Sequence, residues 1–213
     1  MGREFDQLFD EWASTYDETV SGIDPEYAEV FMHYEKILDA VSTKVSGYVL
    51  EYGVGTGNLT ERLVKRAQKV IGIEPSAEMR NIARKKLDSV PVMDGDFFLI
   101  PATDHPIDHI VSTYAFHHLT DQEKEKAIAL YSSVLAPGGS IVFADTMFLT
   151  DEKKAETIQR ADAADYKRLA EDLRTEYYTT IPYLQSLLEK YHLTSSFKQL
   201  NPYVWIMEAV KRS

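Results

Sequence analysis

The chain has 213 residues, of which 44% are hydrophobic and 27% are charged, a composition typical of a globular protein rather than a disordered one. No stretch approaches the roughly 18 to 20 uncharged residues that a membrane span needs, and the acidic start, MGREFDQLFDEW, lacks the basic and then apolar order of a secretion signal. The sequence contains no cysteine, which excludes disulfide bonds, thiolate metal sites and a cysteine nucleophile. A cytoplasmic location is therefore expected.

The net charge of −11 is unevenly distributed along the chain. Residues 1–45 carry eleven acids and three bases, whereas residues 151–213 carry ten of each. Proteins that follow a phosphate backbone usually present a basic surface, but the clustered bases here fall on two predicted helices, where solvated helix faces account for them. These bases are Lys65, Arg66, Lys69, Arg80, Arg84, Lys85 and Lys86. A nucleic acid is therefore not the expected substrate.

Apolar residues recur at helical spacing in two acidic N-terminal segments, which predicts helices over residues 3–17 and 26–44. Asp24-Pro25 separates them, because proline suits the first turn of a new helix. We expect these helices to form a cap.

From Tyr48 onward, short apolar runs alternate with amphipathic segments. The pattern predicts strands at residues 48–52, 70–74, 90–93, 107–114 and 140–145, and helices at residues 58–68, 76–87 and 121–135. Strands separated by helices in this way indicate β-α-β units, and therefore an α/β fold whose parallel sheet carries helices on both faces. Ser76 is the expected N-cap of the second of these helices.

After Thr150 the alternation stops. Residues 151–174 read as one long charged helix and residues 181–191 as another. The C-terminal segments 195–200 and 203–210 read as two strands joined across Asn201-Pro202. No stretch resembles a linker, so the whole chain is expected to form a single domain.

Three glycines, Gly53, Gly55 and Gly57, follow the first predicted strand and precede a helix. Glycine at such a crossing permits positive φ and lets a ligand approach the backbone closely, beyond the carboxyl ends of a parallel sheet. The dinucleotide fingerprint G-x-G-x-x-G would require glycine at position 58, which is Asn58. A nicotinamide-dependent dehydrogenase is therefore disfavoured, and a tight turn without a ligand remains the alternative.

Three carboxylates lie at or just after the carboxyl ends of the first three predicted strands. Glu51 precedes the loop, where it would attract a cationic amino group, and Glu74 ends the next strand, where it would accept both hydroxyls of a ribose. Asp96 follows the third strand and would accept from an adenine amino group, with Phe97 packing on the ring. The alternatives are that Glu74 only ends a strand, that Asp94 replaces Asp96, and that Glu51 caps a neighbouring element.

The ordered motifs VLEYGVGTG, VIGIEPS, DGDF, IDHIVSTYAFHHL and LAPGGSIVFAD resemble those of the class I S-adenosylmethionine-dependent methyltransferases. The flanking sequences MGREF and FDEWASTYD at the start and YVWIMEA at the end are similar to the small bacterial methyltransferases called YrrT-like. The resemblance implies a Rossmann-like sheet of seven strands whose last strand is antiparallel. From the pattern of segments along the chain we expect a helical cap at 1–45, a cofactor-binding core at 46–150, a second helical cap at 151–192 and a C-terminal hairpin at 193–213.

The resemblance also implies roles for individual residues. Gly53, Gly55 and Gly57 would border the methionine and ribose portions of S-adenosylmethionine, Glu74 would hold the ribose and Asp96 the adenine. Tyr16 resembles an aromatic residue that closes over the cofactor, although packing of a cap helix explains it equally well.

Methyl transfer depends mainly on positioning, so no obligatory catalytic residue is expected. If a base is used, the candidates are His117 and Tyr114 after the fourth strand, while His118 resembles a histidine that packs beneath the loop. Tyr177 and Tyr178 are candidates for lining the acceptor pocket. No metal site is expected, because Pro106 keeps His105 and His109 from sharing a helix face.

The resulting hypothesis is a cytoplasmic methyltransferase that acts on a small-molecule acceptor. Two alternatives keep the fold, namely a module that binds S-adenosylmethionine or S-adenosylhomocysteine without turnover and an RNA methyltransferase. The sequence does not fix the acceptor or the oligomeric state.

Overall fold

The computed structural model describes Asp10 and residues 12–212, and its centre is one sheet of seven strands. The strands are β1 (Tyr48–Tyr52), β2 (Lys69–Ile73), β3 (Val92–Met93), β4 (Ile107–Thr113), β5 (Leu135–Thr146), β6 (Leu193–Gln199) and β7 (Val204–Lys211). Their spatial order is β3-β2-β1-β4-β5-β7-β6, in which β1 to β5 pair in parallel and β7 runs antiparallel to both neighbours. This confirms the predicted fold class, including the antiparallel last strand.

Helices cover both faces of the sheet. Those described are α1 (Tyr16–Val20), α2 (Tyr34–Ser42), α3 (Thr60–Leu63), α4 (Ala77–Lys86), α5 (Asp121–Val134), α6 (Asp151–Ala163), α7 (Lys167–Thr175) and α8 (Ile181–Lys190). A short 3-10 helix, Phe116–His118, follows β4.

The core forms two apolar layers because strand side chains alternate between the faces of the sheet. Val49, Val111 and Val142 face the layer packed by α2, α6 and α7. Residues next to them along the strands, such as Leu50 and Ile110, face the layer packed by α5 and α8. Leu50 and Ile110 in that second layer are 1% and 0% exposed. The sheet is therefore buried on both sides, and its carboxyl edge is the place left open for a ligand.

Polar caps fix where several helices begin. Ser76 accepts a hydrogen bond from the Met79 amide at 3.1 Å, as predicted, and Thr120 forms a reciprocal capping box with Glu123. Each cap satisfies a backbone amide in the first turn of its helix.

Three helix predictions differ from the structure, and a fourth is largely untested. The segment 26–44 is helical only from Tyr34, because His33 adopts a left-handed conformation with φ of 65°. The single helix predicted at 151–174 is two helices, because Asp165 takes φ of 57° and turns the chain so that Leu169 and Leu173 reach the core. The helix predicted at 58–68 is regular only over Thr60–Leu63. The helix predicted at 3–17 lies largely outside the described residues.

Candidate functional site

A pocket opens at the carboxyl edge of the sheet, where β1, β2 and β4 end. Its lining combines glycine backbone, two carboxylates and aromatic rings. The residues are Tyr16, Tyr52, Gly53, Gly55, Ile73, Glu74, Pro75, Met79, Gly95, Asp96, Phe97, Thr113, Tyr114, Ala115 and His118.

The glycine loop lies against this pocket through two of its three glycines. Gly53 and Gly55 line the pocket, and both have positive φ, 68° and 57°. At Gly53 a Cβ would approach the Ala115 Cβ to 2.7 Å, so the loop after β1 touches the loop after β4 too closely for any side chain. Gly57 instead packs against Leu87, where a Cβ would come within 2.9 Å of Cδ1. Its place in the structure is the packing of α4.

Glu74 is the residue that joins the glycine loop to the next helix. Its Oε2 accepts from the Gly55 amide at 2.8 Å and its Oε1 accepts from the Ser76 amide at 2.9 Å. The side chain lines the pocket although the residue is only 4% exposed. Each carboxylate oxygen can accept a second hydrogen bond, so the group can organise the loop and bind a ligand hydroxyl together.

The structure separates the two neighbouring aspartates of the DGDF motif. Asp94 is exposed and pairs with Arg80 at 3.3 Å, whereas Asp96 lines the pocket and accepts from the Phe98 amide at 2.9 Å. Phe97 is 8% exposed and stacks on Tyr52 with 5.3 Å between ring centroids. Asp96 and Phe97 therefore form one wall of the pocket.

Glu51 is buried next to the glycine loop and does not line the pocket. Its Oε2 accepts from the Thr60 hydroxyl at 2.7 Å, while its Oε1 has no hydrogen-bond partner. Burial disfavours the charged carboxylate and raises the pKa of Glu51 to about 8. A cation placed near this group would favour its ionised form.

Aromatic side chains close the other side of the pocket. Tyr16 and Tyr114 line it, and Tyr34 packs on Tyr114 with 5.7 Å between centroids. The Tyr114 hydroxyl donates to the Val30 carbonyl at 3.3 Å, and burial raises the pKa of Tyr114 well above its ordinary value. Tyr114 therefore stays protonated near neutral pH and serves as a wall rather than a base.

His117, a predicted base candidate, does not line the pocket. Its Nδ1 lies 2.6 Å from Asp145 Oδ1, its Nε2 lies 3.4 Å from Glu176 Oε2, and its ring stacks on Tyr178 at 4.8 Å. Burial opposes protonation of this ring, but Asp145 and Glu176 outweigh burial and raise the pKa of His117.

His118 lines the pocket, unlike its neighbour in the chain. Its Nδ1 lies 3.9 Å from Glu176 Oε1, and burial, reinforced by His117 and Lys124, lowers its pKa well below the ordinary value. The ring is therefore neutral. Of the two histidines, the one at the pocket is the one that the sequence favours less.

Sequence reasoning missed Asp145, Glu176 and Lys124 altogether. Asp145 lies at the carboxyl end of β5, so the rule that functional side chains lie at the carboxyl ends of parallel strands would have found it. Glu176 lies between the helices predicted at 151–174 and 181–191, and no motif marks it. Lys124 is 1% exposed, and its Nζ donates to the Tyr177 carbonyl at 2.6 Å.

Several predicted surface features have structural partners. Arg80 donates to the Glu74 carbonyl at 2.7 Å and Arg84 donates to the Val92 carbonyl at 2.5 Å, so these bases hold loops rather than form an open basic stripe. Within the described part of the chain, no helix combines the length and apolar character that crossing a bilayer requires.

Comparison with known proteins places these features in context. The family described as a methyltransferase domain matches residues 49–139. Uncharacterized methyltransferases of Geobacillus kaustophilus and Bacillus cytotoxicus are 52% and 54% identical to the chain, with 100% of both chains covered in each case. Among solved structures, a complex of DhpI with SAH has a TM-score of 0.70 at 21% identity, covering 97% of this chain and 94% of that one. A possible histamine N-methyltransferase of Thermotoga maritima has a TM-score of 0.69 at 19% identity, covering 98% and 100%.

Proposed function

Because the chain belongs to the class I S-adenosylmethionine-dependent methyltransferases, we propose that it transfers a methyl group from this cofactor to a small-molecule acceptor at the pocket described above. One observation carries the proposal: Glu74 lies in the pocket wall with both oxygens anchored to backbone amides, between the glycine loop and the start of α4. That arrangement offers fixed acceptors to the hydroxyls of a ribose.

The remaining lining fits the rest of the cofactor. Asp96 offers an acceptor and Phe97 an apolar surface to an adenine ring, and Ile73 and Met79 add further apolar wall. The glycine loop exposes backbone without side chains to the ligand. The buried Glu51 oxygen that lacks a partner lies beside this loop and favours a nearby cationic group.

When bound, S-adenosylmethionine would supply an electrophilic methyl group, which an acceptor atom would attack in line while the methyl–sulfur bond breaks and S-adenosylhomocysteine leaves as a neutral thioether. The chain contributes a floor of glycine backbone, two carboxylate acceptors and aromatic walls. We assign no general base, since Tyr114 is held protonated and His117 is turned towards Asp145.

A small acceptor is favoured by what surrounds the pocket. Tyr16 and Tyr114 line the pocket and Tyr34 packs on Tyr114, while the bases Arg80 and Arg84 are bound to backbone carbonyls. A polynucleotide would need a row of available bases beside the opening.

The experiment gives methyl-labelled S-adenosylmethionine to the purified protein with two bacterial extract fractions, a small-molecule filtrate and total RNA. The proposal expects label in the filtrate, none of it with Glu74→Ala, and unchanged transfer with the exposed control Glu78→Ala. Label in RNA with a steep salt dependence would support an RNA methyltransferase. Tight cofactor binding without label in any fraction would support the module that binds without turnover.

A further inference from the structure

Four residues at the ends of β4, β5 and α7 form a buried polar group outside the cofactor pocket wall, apart from His118. We call His117, His118, Asp145 and Glu176 the histidine–carboxylate cluster. Nitrogen or oxygen atoms of His117, His118 and Glu176 lie within 4.8 Å of one another, although they come from segments far apart in the chain. No part of the proposed methyl transfer uses this group.

Asp145 fixes the orientation of His117. Its Oδ1 lies 2.6 Å from the ring Nδ1, and its Oδ2 accepts from the His117 backbone amide at 3.0 Å. The Asp145 carboxylate also accepts from the Thr146 amide at 2.7 Å, so it cannot turn away. The ring therefore presents Nε2 to Glu176. A histidine that binds a metal commonly has its other nitrogen held by a carboxylate in this way.

The distances between the ligand atoms are those of a metal site rather than of a direct ion pair. His117 Nε2 lies 3.4 Å from Glu176 Oε2, and His118 Nδ1 lies 3.9 Å from Glu176 Oε1. A charge-assisted N–H···O bond would measure about 2.7 to 2.9 Å. Ligands about 2.0 to 2.1 Å from a tetrahedral zinc ion lie about 3.3 Å apart. The gap between the two histidines and the carboxylate is thus wide enough for an ion.

The charges around the cluster favour a cation on balance. Asp145 and Glu176 carry the negative charge, and the partly buried Asp172 interacts with both Glu176 and His117. Lys124 opposes a cation, but its ammonium group is directed to the Leu119 and Tyr177 carbonyls. Tyr178 donates to Glu176 Oε2 at 2.5 Å and fixes the carboxylate.

We propose that His117, His118 and Glu176 bind a divalent transition-metal ion, with Asp145 as the carboxylate that orients His117. Two imidazoles and one carboxylate suit Zn²⁺ first, and also Co²⁺, in preference to Mg²⁺ or Ca²⁺. The ion would join the 3-10 helix after β4 to the segment after α7. It would therefore brace the 151–192 cap against the sheet, although the sequence predicts no metal site.

The test uses the protein freed of metal with a chelator and then titrated with Zn²⁺ or Co²⁺ alone. We expect one ion per chain, Co²⁺ absorption bands of a four- or five-coordinate nitrogen and oxygen site, and a higher Tm with Zn²⁺. Glu176→Gln keeps the size and the Tyr178 contact but loses the charged ligand, so it should weaken binding by about 100-fold or more. The matched control Glu171→Gln makes the same change at an exposed position on α7 and should bind as the wild type does.

Circular dichroism and S-adenosylmethionine binding in chelator check that Glu176→Gln is folded. Equal ion affinity in wild type and Glu176→Gln would overturn the metal site, as would no bound ion in the wild type. Either result would leave His117 as a cation held between Asp145 and Glu176. Because cofactor binding is measured without metal, failure of this inference is distinct from failure of the proposed methyl transfer.

Discussion

The two halves of the sheet's carboxyl edge use buried carboxylates in different ways. At the ends of β1 to β3, Glu74 accepts from backbone amides of the glycine loop and of the start of α4, Asp96 accepts from the Phe98 amide, and both still face the pocket. At the ends of β4, β5 and α7, Asp145 is directed to His117, and Glu176 lies near His117 and accepts from Tyr178. We therefore propose that the first half recognises a ligand and that the second half holds the cap to the sheet.

The largest effect is expected in the second half, from Asp145→Asn. The change removes a charge 2.6 Å from His117 in a group that is only 3% exposed. Breaking a buried pair in this way typically costs about 3 to 5 kcal/mol of stability. Urea unfolding in chelator should show this loss, while cofactor affinity changes little. A large loss of affinity in a variant that stays folded would merge the two halves into one function.

The next effect is expected in the first half, from Glu74→Ala. Loss of charged hydrogen bonds to a ribose should weaken cofactor binding by about 2 to 4 kcal/mol. Equilibrium binding of labelled S-adenosylmethionine measures this change, and Glu78→Ala, an exposed acid in the first turn of α4, is the control. An unchanged dissociation constant would place the cofactor elsewhere.

Glu51→Gln sharpens the comparison through pH. Because the pKa of Glu51 is raised to about 8, the folded wild type holds a proton that the unfolded chain releases above about 4.5. Wild-type stability should therefore fall as pH rises between these values, by up to about 1.4 kcal/mol per pH unit from this group, and level off above pH 8. Glu51→Gln lacks this slope. The free energy of unfolding is measured with urea for both proteins from pH 5 to 8. The same dependence on pH in both would contradict a pKa of Glu51 raised by burial.

The smallest effect is expected from changing to alanine two glycines of positive φ, one that lines the pocket and one that does not. Gly55 and Gly138 have φ of 57° and 75°, and no atom lies within 4 Å of a Cβ added at either. Each change to alanine should cost about 1 to 2 kcal/mol through backbone strain. Only Gly55 lines the pocket, so only Gly55→Ala should also weaken cofactor binding. Equal affinity in the two variants would remove Gly55 from the binding surface.

The sequence predicts the first half of the edge well because its chemistry lies within short segments. Strand, glycine turn and following carboxylate occur together, so their positions at one edge follow from the parallel topology alone. The sequence does not distinguish Asp96 from Asp94. In the structure Asp94 pairs with Arg80, whereas Asp96 lines the pocket.

The second half could not be predicted in this way, since its partners meet only through tertiary packing. The single helix predicted at 151–174 hides the turn at Asp165 that directs α7 onto the sheet and brings Glu176 to His117. Hydrophobic periodicity continues through both helices, whereas one left-handed residue changes the direction of the chain. His118, rather than the predicted His117, reaches the pocket because both lie in a tight 3-10 turn. Hydrophobic periodicity does not reveal such a turn.

Calorimetric titration of the folded wild-type protein tests the central claim most directly. The account predicts saturable binding of S-adenosylmethionine and S-adenosylhomocysteine at one site per chain, with no heat from NAD. Binding of NAD alone, or of none of the three by protein shown to be folded, would contradict it.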